Sequence, residues 1–301
     1  MQHKKKILIT GGGGFIGRNL VEYLSNNEEY KILAPRHKEL ELLDENIVRD
    51  FFARNKIDVV IHTAHFGGNR KLAPIECQDA LKKNLVMFFN IASNSKNYGR
   101  MIFFGSGAEY DKSQDIRQVK EEGFGKHVPR DEYGFAKFIC SKYIEASSDN
   151  KMISIRPFGV FGKYEDYETR FISNIICRIL FDLPVEINQN MLLDYVYIGD
   201  VCRIIEHFIE HEPKHRFYNL GNGKHMDLLA LAKKMKQVSR NDFEIKIKKK
   251  GMNKEYTCNN SRLMKEMPGF KFTPIEESLR ELYAWYKNNK DIIKKDNLLS
   301  Y

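Results

Sequence analysis

Cysteine is scarce in this chain of 301 residues, and the few cysteines present are scattered. They stand at Cys77, Cys140, Cys177, Cys202 and Cys258, with no C-x-x-C spacing among them. An odd, dispersed set argues against a disulfide framework and against a cysteine-based metal site, and it is typical of reduced thiols. We therefore expect a cytoplasmic protein that holds no metal.

Long apolar stretches are also missing. No run approaches the ~20 residues that a membrane-spanning helix needs, so we expect no membrane contact. The short apolar run Ile7, Leu8 and Ile9 leads directly into glycines and is too short for the core of a signal peptide, so we interpret it as a first strand. Since 42% of the residues are hydrophobic, the chain can bury the core of one large α/β domain with a smaller companion lobe.

The charge balance is positive, with 49 Lys and Arg against 40 Asp and Glu and a formal net charge of +9. Such an excess can bind nucleic acid, can be a lysine-rich solvated surface, or can favour an anionic cofactor and substrate. The sequence has no compact basic stripe interleaved with aromatic residues, so we expect no nucleic-acid partner. The other two interpretations stay open.

The first half alternates short β-branched runs with longer amphipathic stretches, which predicts a parallel sheet with crossover helices. Predicted strands lie at about 6–10, 30–34, 58–63, 100–105 and 151–155. Predicted helices lie at about 14–27, 44–55, 79–97 and 131–148. After residue 157 the pattern becomes irregular, with helices near 169–182, 199–211 and 274–289 and a short strand at 185–187.

A glycine-rich turn follows the first strand. Gly11, Gly14 and Gly17 precede an amphipathic helix that starts with Phe15 and Ile16. Glycine suits this position because the turn needs permissive dihedrals, the backbone must approach a pyrophosphate, and the helix must pack closely on the strand. The free N–H groups of the helix N-terminus then attract the phosphates. These five residues are therefore our predicted dinucleotide-binding loop.

The predicted fold class is α/β, a Rossmann-type doubly wound parallel sheet with a smaller C-terminal substrate-binding lobe. We assign residues 1–160 and 195–220 to the dinucleotide-binding domain, and 161–194 and 221–301 to the substrate lobe. The segment after the second strand has no carboxylate until Glu39, whereas Arg36 and Lys38 precede it. An arginine there suits a 2′-phosphate and favours NADPH (NADP), with NAD possible if these are ordinary loop charges.

A tyrosine and a lysine stand four residues apart at Tyr133 and Lys137, on one face of a predicted helix. A lysine beside the ring is expected to lower the tyrosine pKa, so that the phenol can exchange a proton with a carbonyl or alcohol oxygen. Ser106 follows a predicted strand at the carboxyl edge of the sheet, where ligands bind. The three together predict a catalytic group.

With these motifs the chain resembles the extended short-chain dehydrogenase/reductase family, the NAD-dependent epimerase/dehydratase family of nucleotide-sugar enzymes. The resemblance rests on residues 10–17, 58–64, Ser106 with Tyr110, Tyr133 with Lys137, 156–162, 194–201, 218–221 and 260–262. Residues 38–44 and 66–69 look closest to the GDP-fucose synthase branch of 4-keto reductases. CDP-abequose synthases are similar in their short length.

The resemblance implies a role for each site residue. Tyr133 would be the general acid/base, Lys137 would hold it and the nicotinamide ribose, and Ser106 would bind the substrate oxygen. Asn84 would either support the lysine through water or be a helix-surface amide. Further cofactor contacts are expected at Ala64 and Pro157. Expected substrate-binding residues are His65, Asn69, Arg70, Lys163, Arg170 and Arg262.

Departures from the family pattern narrow the chemistry. Gly107 and Ala108 stand where dehydratases carry an acidic pair, and Ala108 also replaces the cysteine that fucose synthases use for epimerisation. The matching histidine position falls near Arg170, and Leu193 replaces an arginine that touches the diphosphate. What remains is NADPH-dependent reduction of a keto group, at C4, of a nucleotide-linked 4-keto-6-deoxy sugar in surface-polysaccharide biosynthesis. The substrate partner would be a nucleotide-diphosphate sugar.

Two other functions remain open: a nucleotide-sugar C4 epimerase with tightly bound NAD, and a non-catalytic nucleotide-sensing or RNA-binding relative. The helices near 79–97 and 131–148 are apolar on more than one face, and in the family they often pair into a homodimer. The apolar side chains concerned are Leu85, Phe88, Phe89, Phe135, Phe138 and Ile139. Burial within one subunit would also account for them.

Overall fold

The computed structural model describes residues 4–67 and 79–299. Its strands are β1 (Lys5–Thr10), β2 (Tyr30–Leu33), β3 (Ile57–His62), β4 (Tyr98–Phe104), β5 (Ile116–Val119), β6 (Met152–Pro157), β7 (Gly159–Phe161), β8 (Val185–Asn190), β9 (Leu192–Tyr197), β10 (Phe217–Leu220), β11 (His225–Asp227), β12 (Ile245–Met252) and β13 (Tyr256–Cys258). Its helices are α1 (Phe15–Leu24), α2 (Glu45–Arg54), α3 (Ala80–Ala92), α4 (Glu132–Ala146), α5 (Phe171–Leu180), α6 (Ile198–Glu210), α7 (Leu228–Ser239), α8 (Ser261–Glu266), α9 (Ile275–Asn288) and α10 (Lys295–Leu299).

Six parallel strands form the main sheet in the order β10-β6-β4-β3-β1-β2. The chain starts in β1, adds β2 on one side, and then returns past β1 to build β3, β4, β6 and β10 outward on the other side. The direction of winding therefore reverses between β1 and β3, and a crevice opens at the carboxyl ends of these strands. This confirms the predicted doubly wound Rossmann-type fold.

The strands of the main sheet are buried on both faces. In β1, Ile7 and Ile9 pack into the cluster that includes α1 and α6, whereas Leu8 packs into the cluster that includes α2 and α3. Successive side chains of a strand point to opposite faces, so a continuous apolar run fits a strand with helices on both sides. The apolar runs in the sequence were for this reason a reliable strand signal.

The helix that carries the predicted tyrosine begins at a defined cap. The Asp131 carboxylate accepts a hydrogen bond from the Gly134 N–H at 2.9 Å, which satisfies a free donor of the first turn of α4. Tyr133 therefore lies in that first turn and Lys137 one turn later. α3 ends at Ala92 rather than near 97, because the Asn94 side chain bonds the Asn90 carbonyl and a short 3-10 turn follows.

The second half builds smaller sheets beside the main one. A second sheet has the order β11-β9-β13-β5, with β7 parallel to β9, and β12 pairs with β8. After β9 the chain returns through α6 to β10 at the edge of the main sheet. The strand β5 lies inside the segment assigned to the dinucleotide-binding domain, yet it pairs with β13 of the second sheet. The assigned domain boundaries otherwise stay a prediction.

The described residues contain no helix that is both long and apolar enough to span a bilayer. The four described cysteines, Cys140, Cys177, Cys202 and Cys258, are free and buried. Cys77 lies outside the described residues.

Candidate active site

The glycine loop closes tightly over the ends of β1 and β3. Gly11 has φ +72°, and a Cβ there would lie 2.7 Å from the backbone of Ala64. A Cβ on Gly17 would collide with the Gly11 carbonyl oxygen. Both positions therefore require glycine. The α1 N-terminus has Gly14 as its N-cap with no side-chain cap, so its N–H groups point toward the cleft that Phe15 and Ile16 also line.

This geometry fits a dinucleotide pyrophosphate, because backbone N–H groups and the positive end of the helix dipole converge where no side chain intrudes. Ala64 and Pro157 line the same cleft, at the ends of β3 and β6. The loop after β2 contributes Arg36 and Lys38, both exposed and without an ion pair within the described part of the chain. The Glu39 carboxylate instead accepts the Arg36 backbone N–H at 2.8 Å.

Ser106 lies directly after β4, where the chain turns into a 3-10 helix over Gly107–Tyr110. Its Oγ accepts the Ala108 N–H at 3.1 Å, and its own N–H donates to Glu109 Oε1 at 2.9 Å. Together these bonds make a capping box that holds the serine in place. The residue is 7% exposed and its side chain lines the cleft.

Glu109 is bound from beneath by Arg156. The Arg156 Nε donates to Glu109 Oε2 at 2.6 Å, and both side chains are at most 1% exposed. Arg156 also contacts Tyr110 Oη at 3.3 Å, and Tyr110 donates to Asn219 Oδ1 at 2.7 Å. The buried network ties the serine loop to β6 and β10. Glu109 is therefore fully buried, and each of its carboxylate oxygens is bound to a protein group.

Tyr133 and Lys137 both line the cleft next to Ser106. Lys137 is buried, and its Nζ donates to the Phe104 carbonyl at 2.7 Å. Burial lowers the pKa of Lys137 to about 8. Because Phe104 lies at the end of β4, the lysine joins α4 to the strand that carries Ser106.

The expected lowering of the Tyr133 pKa is wrong for this structure. Burial raises the pKa of Tyr133 above its usual value, although a hydrogen bond from Ser106 and the positive charge of Arg170 act against it. The ammonium of Lys137 is bound to the Phe104 carbonyl rather than to the phenol. Tyr133 is therefore protonated at neutral pH, which is the state a proton donor needs.

The loop after β3 places His65 beside Tyr133, with ring centroids 6.0 Å apart. Burial within the cleft wall, together with the charges of Lys137 and Arg170, lowers the pKa of His65 to about 4. The imidazole is therefore neutral at pH 7. The interpretation of Asn84 as a helix-surface amide is wrong, and support of the lysine through water stays a prediction. Its buried amide donates to the Phe66 carbonyl and accepts the Phe66 N–H, both at 2.8 Å, and so holds the His65 loop against α3.

The small lobe contributes three cleft residues of different character. Arg170, at the N-cap of α5, is exposed in the cleft, and within the described ranges its guanidinium has no hydrogen bond or ion pair. Glu165 is 7% exposed and accepts a hydrogen bond from Ser173 Oγ at 2.6 Å. Burial raises its pKa to about 8, so the carboxyl is largely neutral. The third residue is Tyr256, which the sequence pattern did not indicate.

Two predicted substrate residues lie elsewhere. The Lys163 Nζ bonds Glu22 of α1 at 2.6 Å, so the lysine is engaged with that helix rather than with the cleft. Arg262 bonds the Phe217 carbonyl at 3.1 Å and pairs with Glu122, which places it beneath β10. Neither side chain lines the cleft, because each is bound to groups of the protein elsewhere. Asn69 and Arg70 lie outside the described residues.

Among the described residues, no group of three His, Cys, Asp or Glu side chains is arranged to hold a metal ion. Leu193 of β9 lines the cleft. The neighbouring Asp194 is fully buried, accepts the Asn222 N–H at 2.8 Å, and lies 3.7 Å from His225 Nε2. Asp194 therefore stabilises the second sheet and does not face the cleft.

Residues 7–221 match the NAD dependent epimerase/dehydratase family. The match covers well over half of the chain. The chain belongs to this family. The membership shows an enzyme family that uses a nicotinamide cofactor, and it agrees with the glycine loop and the Ser106, Tyr133 and Lys137 group described above.

The individual relatives share only low sequence identity with this chain. An ADP-L-glycero-D-manno-heptose-6-epimerase from Brachyspira hyodysenteriae is 25% identical over 262 residues, which cover 77% of this chain and 80% of that protein. A GDP-L-fucose synthetase from Naegleria fowleri bound to NADP superposes with a TM-score of 0.82 at 19% identity, covering 98% and 96% of the two chains. The NADP-bound GDP-mannoheptose C4 reductase of Campylobacter jejuni gives 0.77 at 21% identity, covering 95% and 99%. These likenesses show the fold, and family membership shows the class of enzyme.

Proposed function

We propose that the protein reduces the keto group of a nucleotide-linked 4-keto-6-deoxy sugar, at C4, with NADPH. The observation that carries the proposal is a protonated Tyr133 beside Ser106, in a cleft that runs from the glycine loop into the small lobe. Reduction of a ketone needs a proton donor at the oxygen. The Tyr133 phenol keeps its proton at neutral pH and lines the cleft, so it can deliver that proton to the carbonyl oxygen.

In the proposed reduction, each residue of the site has a separate role. When bound, the nicotinamide supplies a hydride to the carbonyl carbon. Tyr133 delivers its proton to the carbonyl oxygen, and Ser106 donates a hydrogen bond to the same oxygen as negative charge develops there. Lys137, fixed on the Phe104 carbonyl, holds α4 in register with β4 and so keeps the phenol close to the serine. His65, which is neutral at pH 7, lies beside Tyr133 in the cleft wall.

Loss of water from the sugar is disfavoured by the same geometry. The dehydratase acidic positions are Gly107 and Ala108, and the adjacent Glu109 is held by Arg156 and by the Ser106 N–H. Elimination needs a carboxyl group that can accept and return a proton. For substrate binding we assign the unpaired Arg170 to the diphosphate, because an exposed guanidinium in a cleft suits bidentate contact with phosphate oxygens. His65 remains assigned to the sugar.

The test is consumption of NADPH or NADH by the purified protein with freshly made GDP-, CDP-, dTDP- and UDP-linked 4-keto-6-deoxy sugars, with the product configuration determined. Oxidation of reductant with one of them supports the proposal and names the base. No oxidation with any of them rejects it for these sugars. Tightly bound NAD in the purified protein, with interconversion of C4 configuration and no added reductant, would instead establish the C4 epimerase.

The NADPH preference has its own test. Replacing Arg36 by alanine removes the cation at the end of β2, so the KM for NADPH should rise by about ten-fold while the KM for NADH stays within two-fold. Lys31→Ala, which removes an exposed cation from the same strand outside the cleft, is the matched control. Equal effects of Arg36→Ala on both cofactors would remove the basis for preferring NADPH.

We also assign the protein as a homodimer through α3 and α4. Phe88 and Phe138 are buried within one subunit, but Phe89 and Tyr143 remain 37% and 38% exposed on the joint surface of the two helices. Their rings pack edge to face 5.1 Å apart and form an exposed aromatic pair. A cytoplasmic location stays a prediction.

A further inference from the structure

Glu165 is held in the cleft wall by three elements of the small lobe. It follows β7, and its backbone N–H donates to the Gly162 carbonyl at 3.2 Å. Its own carbonyl accepts a hydrogen bond from Tyr286 Oη of α9 at 3.4 Å. Its carboxyl Oε2 accepts the hydroxyl proton of Ser173 on α5 at 2.6 Å. Such support on rigid elements is typical of side chains whose position matters to a site.

Only one of the two carboxyl oxygens of Glu165 is used by the fold. The second oxygen, Oε1, has no hydrogen bond to any residue that the structure describes. In that part of the chain, the fully enclosed side-chain polar atoms without a partner belong to Arg156, His207 and Arg216, so Oε1 is not sealed in the interior. Glu165 is 7% exposed and lines the cleft, so Oε1 faces the cleft. A polar atom this close to burial costs free energy unless the contents of the cleft bond it.

The surroundings of Glu165 place Oε1 in the part of the cleft assigned to substrate. The positive charge of Arg170 acts on both Glu165 and Tyr133, so the guanidinium lies near both of them. Beside the carboxyl, the ring of Tyr195 packs edge to face on Phe161 with centroids 6.2 Å apart. All five of these side chains line the same cleft. The free oxygen therefore lies in a largely aromatic wall, close to the cation assigned to the diphosphate.

The Glu165 carboxyl is mostly protonated at neutral pH. Burial raises its pKa to about 8, with the neighbouring Asp166 adding to the rise and Arg170 opposing it. The other titratable groups that face it are the phenols of Tyr195 and Tyr286, whose pKa values burial raises far above their usual range. Because the carbonyl oxygen of a carboxylic acid is its acceptor and Oε2 already accepts, Oε1 carries the proton. Oε1 is therefore a hydrogen-bond donor directed into the cleft.

We propose that Glu165 is a substrate-binding residue whose Oε1 donates a hydrogen bond to an oxygen of the nucleotide sugar, next to the diphosphate held by Arg170. The accepting oxygen belongs to a phosphate or to a sugar hydroxyl. The identity of the ligand rests on the proposed function. An uncharged donor suits this place because an ionised carboxylate would repel the diphosphate.

The experiment measures binding without turnover. Calorimetric titrations are made in the presence of NADP⁺, so that no hydride can be transferred, with the four nucleotide-linked 4-keto-6-deoxy sugars and with free GDP, CDP, dTDP and UDP. Glu165→Met keeps the length of the side chain and removes its hydrogen-bonding group, so the Kd of the nucleotide sugar should rise about ten-fold. Glu165→Gln can donate from the same position and should restore most of that loss. A weaker Kd for the free diphosphate as well places the contact on phosphate, whereas a loss confined to the nucleotide sugar places it on a sugar hydroxyl.

Ser173→Ala is the matched structural control. It removes the bond to Oε2 and leaves Oε1 in the cleft, so the Tm should fall while the Kd stays within two-fold of wild type. Equal losses of affinity in Glu165→Met and Ser173→Ala would show that the carboxyl only supports the fold, and would overturn the inference. An unchanged Kd in Glu165→Met would overturn it as well.

The pH dependence of binding gives a second readout. The Kd of the wild-type protein should rise about ten-fold from pH 7 to pH 9, since the carboxyl loses its proton around pH 8. Glu165→Gln still contains every other titrating group of the cleft, including Lys137, and its Kd should stay nearly constant. Equal pH profiles of the two proteins would contradict a protonated donor. Binding of a nucleotide sugar without oxidation of NADPH in the activity assay rejects the reduction alone, whereas a wild-type protein that binds none of these ligands rejects the role of Glu165.

Discussion

Glu109 and Arg156 form an ion pair of 2.6 Å beneath Ser106, and both side chains are shielded from solvent. The second carboxylate oxygen of Glu109 accepts the Ser106 N–H. A Cβ on Gly105 would collide with that oxygen, so the glycine makes room for it. Ser106, the proposed catalytic serine, is thus held in place by a buried ion pair.

Breaking this pair should destabilise the fold. Glu109→Gln leaves Arg156 buried without its counter-charge, so the free energy of unfolding should fall by about 3–5 kcal/mol, measured by urea denaturation. Glu145→Gln, which removes an exposed partner of Lys142, should cost less than about 1 kcal/mol. Equal losses of unfolding free energy in the two variants would show that the buried ion pair contributes no more to stability than an exposed one.

Tyr133→Phe should remove catalysis and leave cofactor binding intact. Loss of the proton donor should lower kcat by about 10²–10⁴-fold, while the dissociation constant for NADPH, measured by fluorescence titration, stays within two-fold. Tyr143→Phe on the same helix, at an exposed position, should retain full activity. If Tyr133→Phe reduces the sugar at the wild-type rate, another group must deliver the proton.

Alanine variants of Arg170 and Lys163 compare a cation in the cleft with a cation that is already paired with a carboxylate. Arg170→Ala should raise the KM for the nucleotide sugar by about ten-fold or more, since a charge-assisted contact to phosphate is lost. Lys163→Ala removes a cation that is bonded to Glu22 and should change that KM by less than two-fold. The reverse order of effects would place the diphosphate on the α1 side. Steady-state kinetics with varied sugar concentration decides between the two.

The α3–α4 surface predicts a specific change in assembly. Phe89→Glu places a charge at the exposed aromatic pair and should convert the dimer into a monomer at micromolar concentration, as measured by light scattering after gel filtration. Met252→Glu, at an exposed apolar residue of β12, should leave the dimer intact. A wild-type protein that is already monomeric would contradict the dimer.

The buried carboxyl of Glu165 should make the stability of the folded protein depend on pH. Burial raises its pKa from about 4.5 to about 8, so between these values the folded state binds a proton that the unfolded state has released. Stability from this group is complete below pH 4.5 and is lost as the pH rises toward 8. The Tm of Glu165→Gln relative to wild type should therefore increase between pH 5 and pH 8 and level off above pH 8. A Tm difference that stays constant over this range would exclude a raised pKa at Glu165.

Several site features could be predicted from local sequence because they are set by local geometry. The glycine turn has a spacing that only a strand–turn–helix can use, and Gly11 and Gly17 meet backbone atoms that leave no room for a side chain. Tyr133 and Lys137 share a helix face through the 3.6-residue period. The continuous apolar strands likewise indicated a doubly covered parallel sheet, which the order of β1, β3 and β4 confirms.

The folded chain was needed to show which groups that are distant in sequence meet. Local sequence was enough to predict the strand–turn–helix of the glycine loop and the shared helix face of Tyr133 and Lys137, because neighbouring residues of a helix or turn have few conformations. It could not show that Lys163 binds Glu22, that Arg156 pairs with Glu109, or that the Tyr256 hydroxyl lies against Gly107. These contacts join residues far apart in the chain. The direction of the Tyr133 pKa shift also needed the folded chain, since burial and surrounding charge are properties of the packed interior.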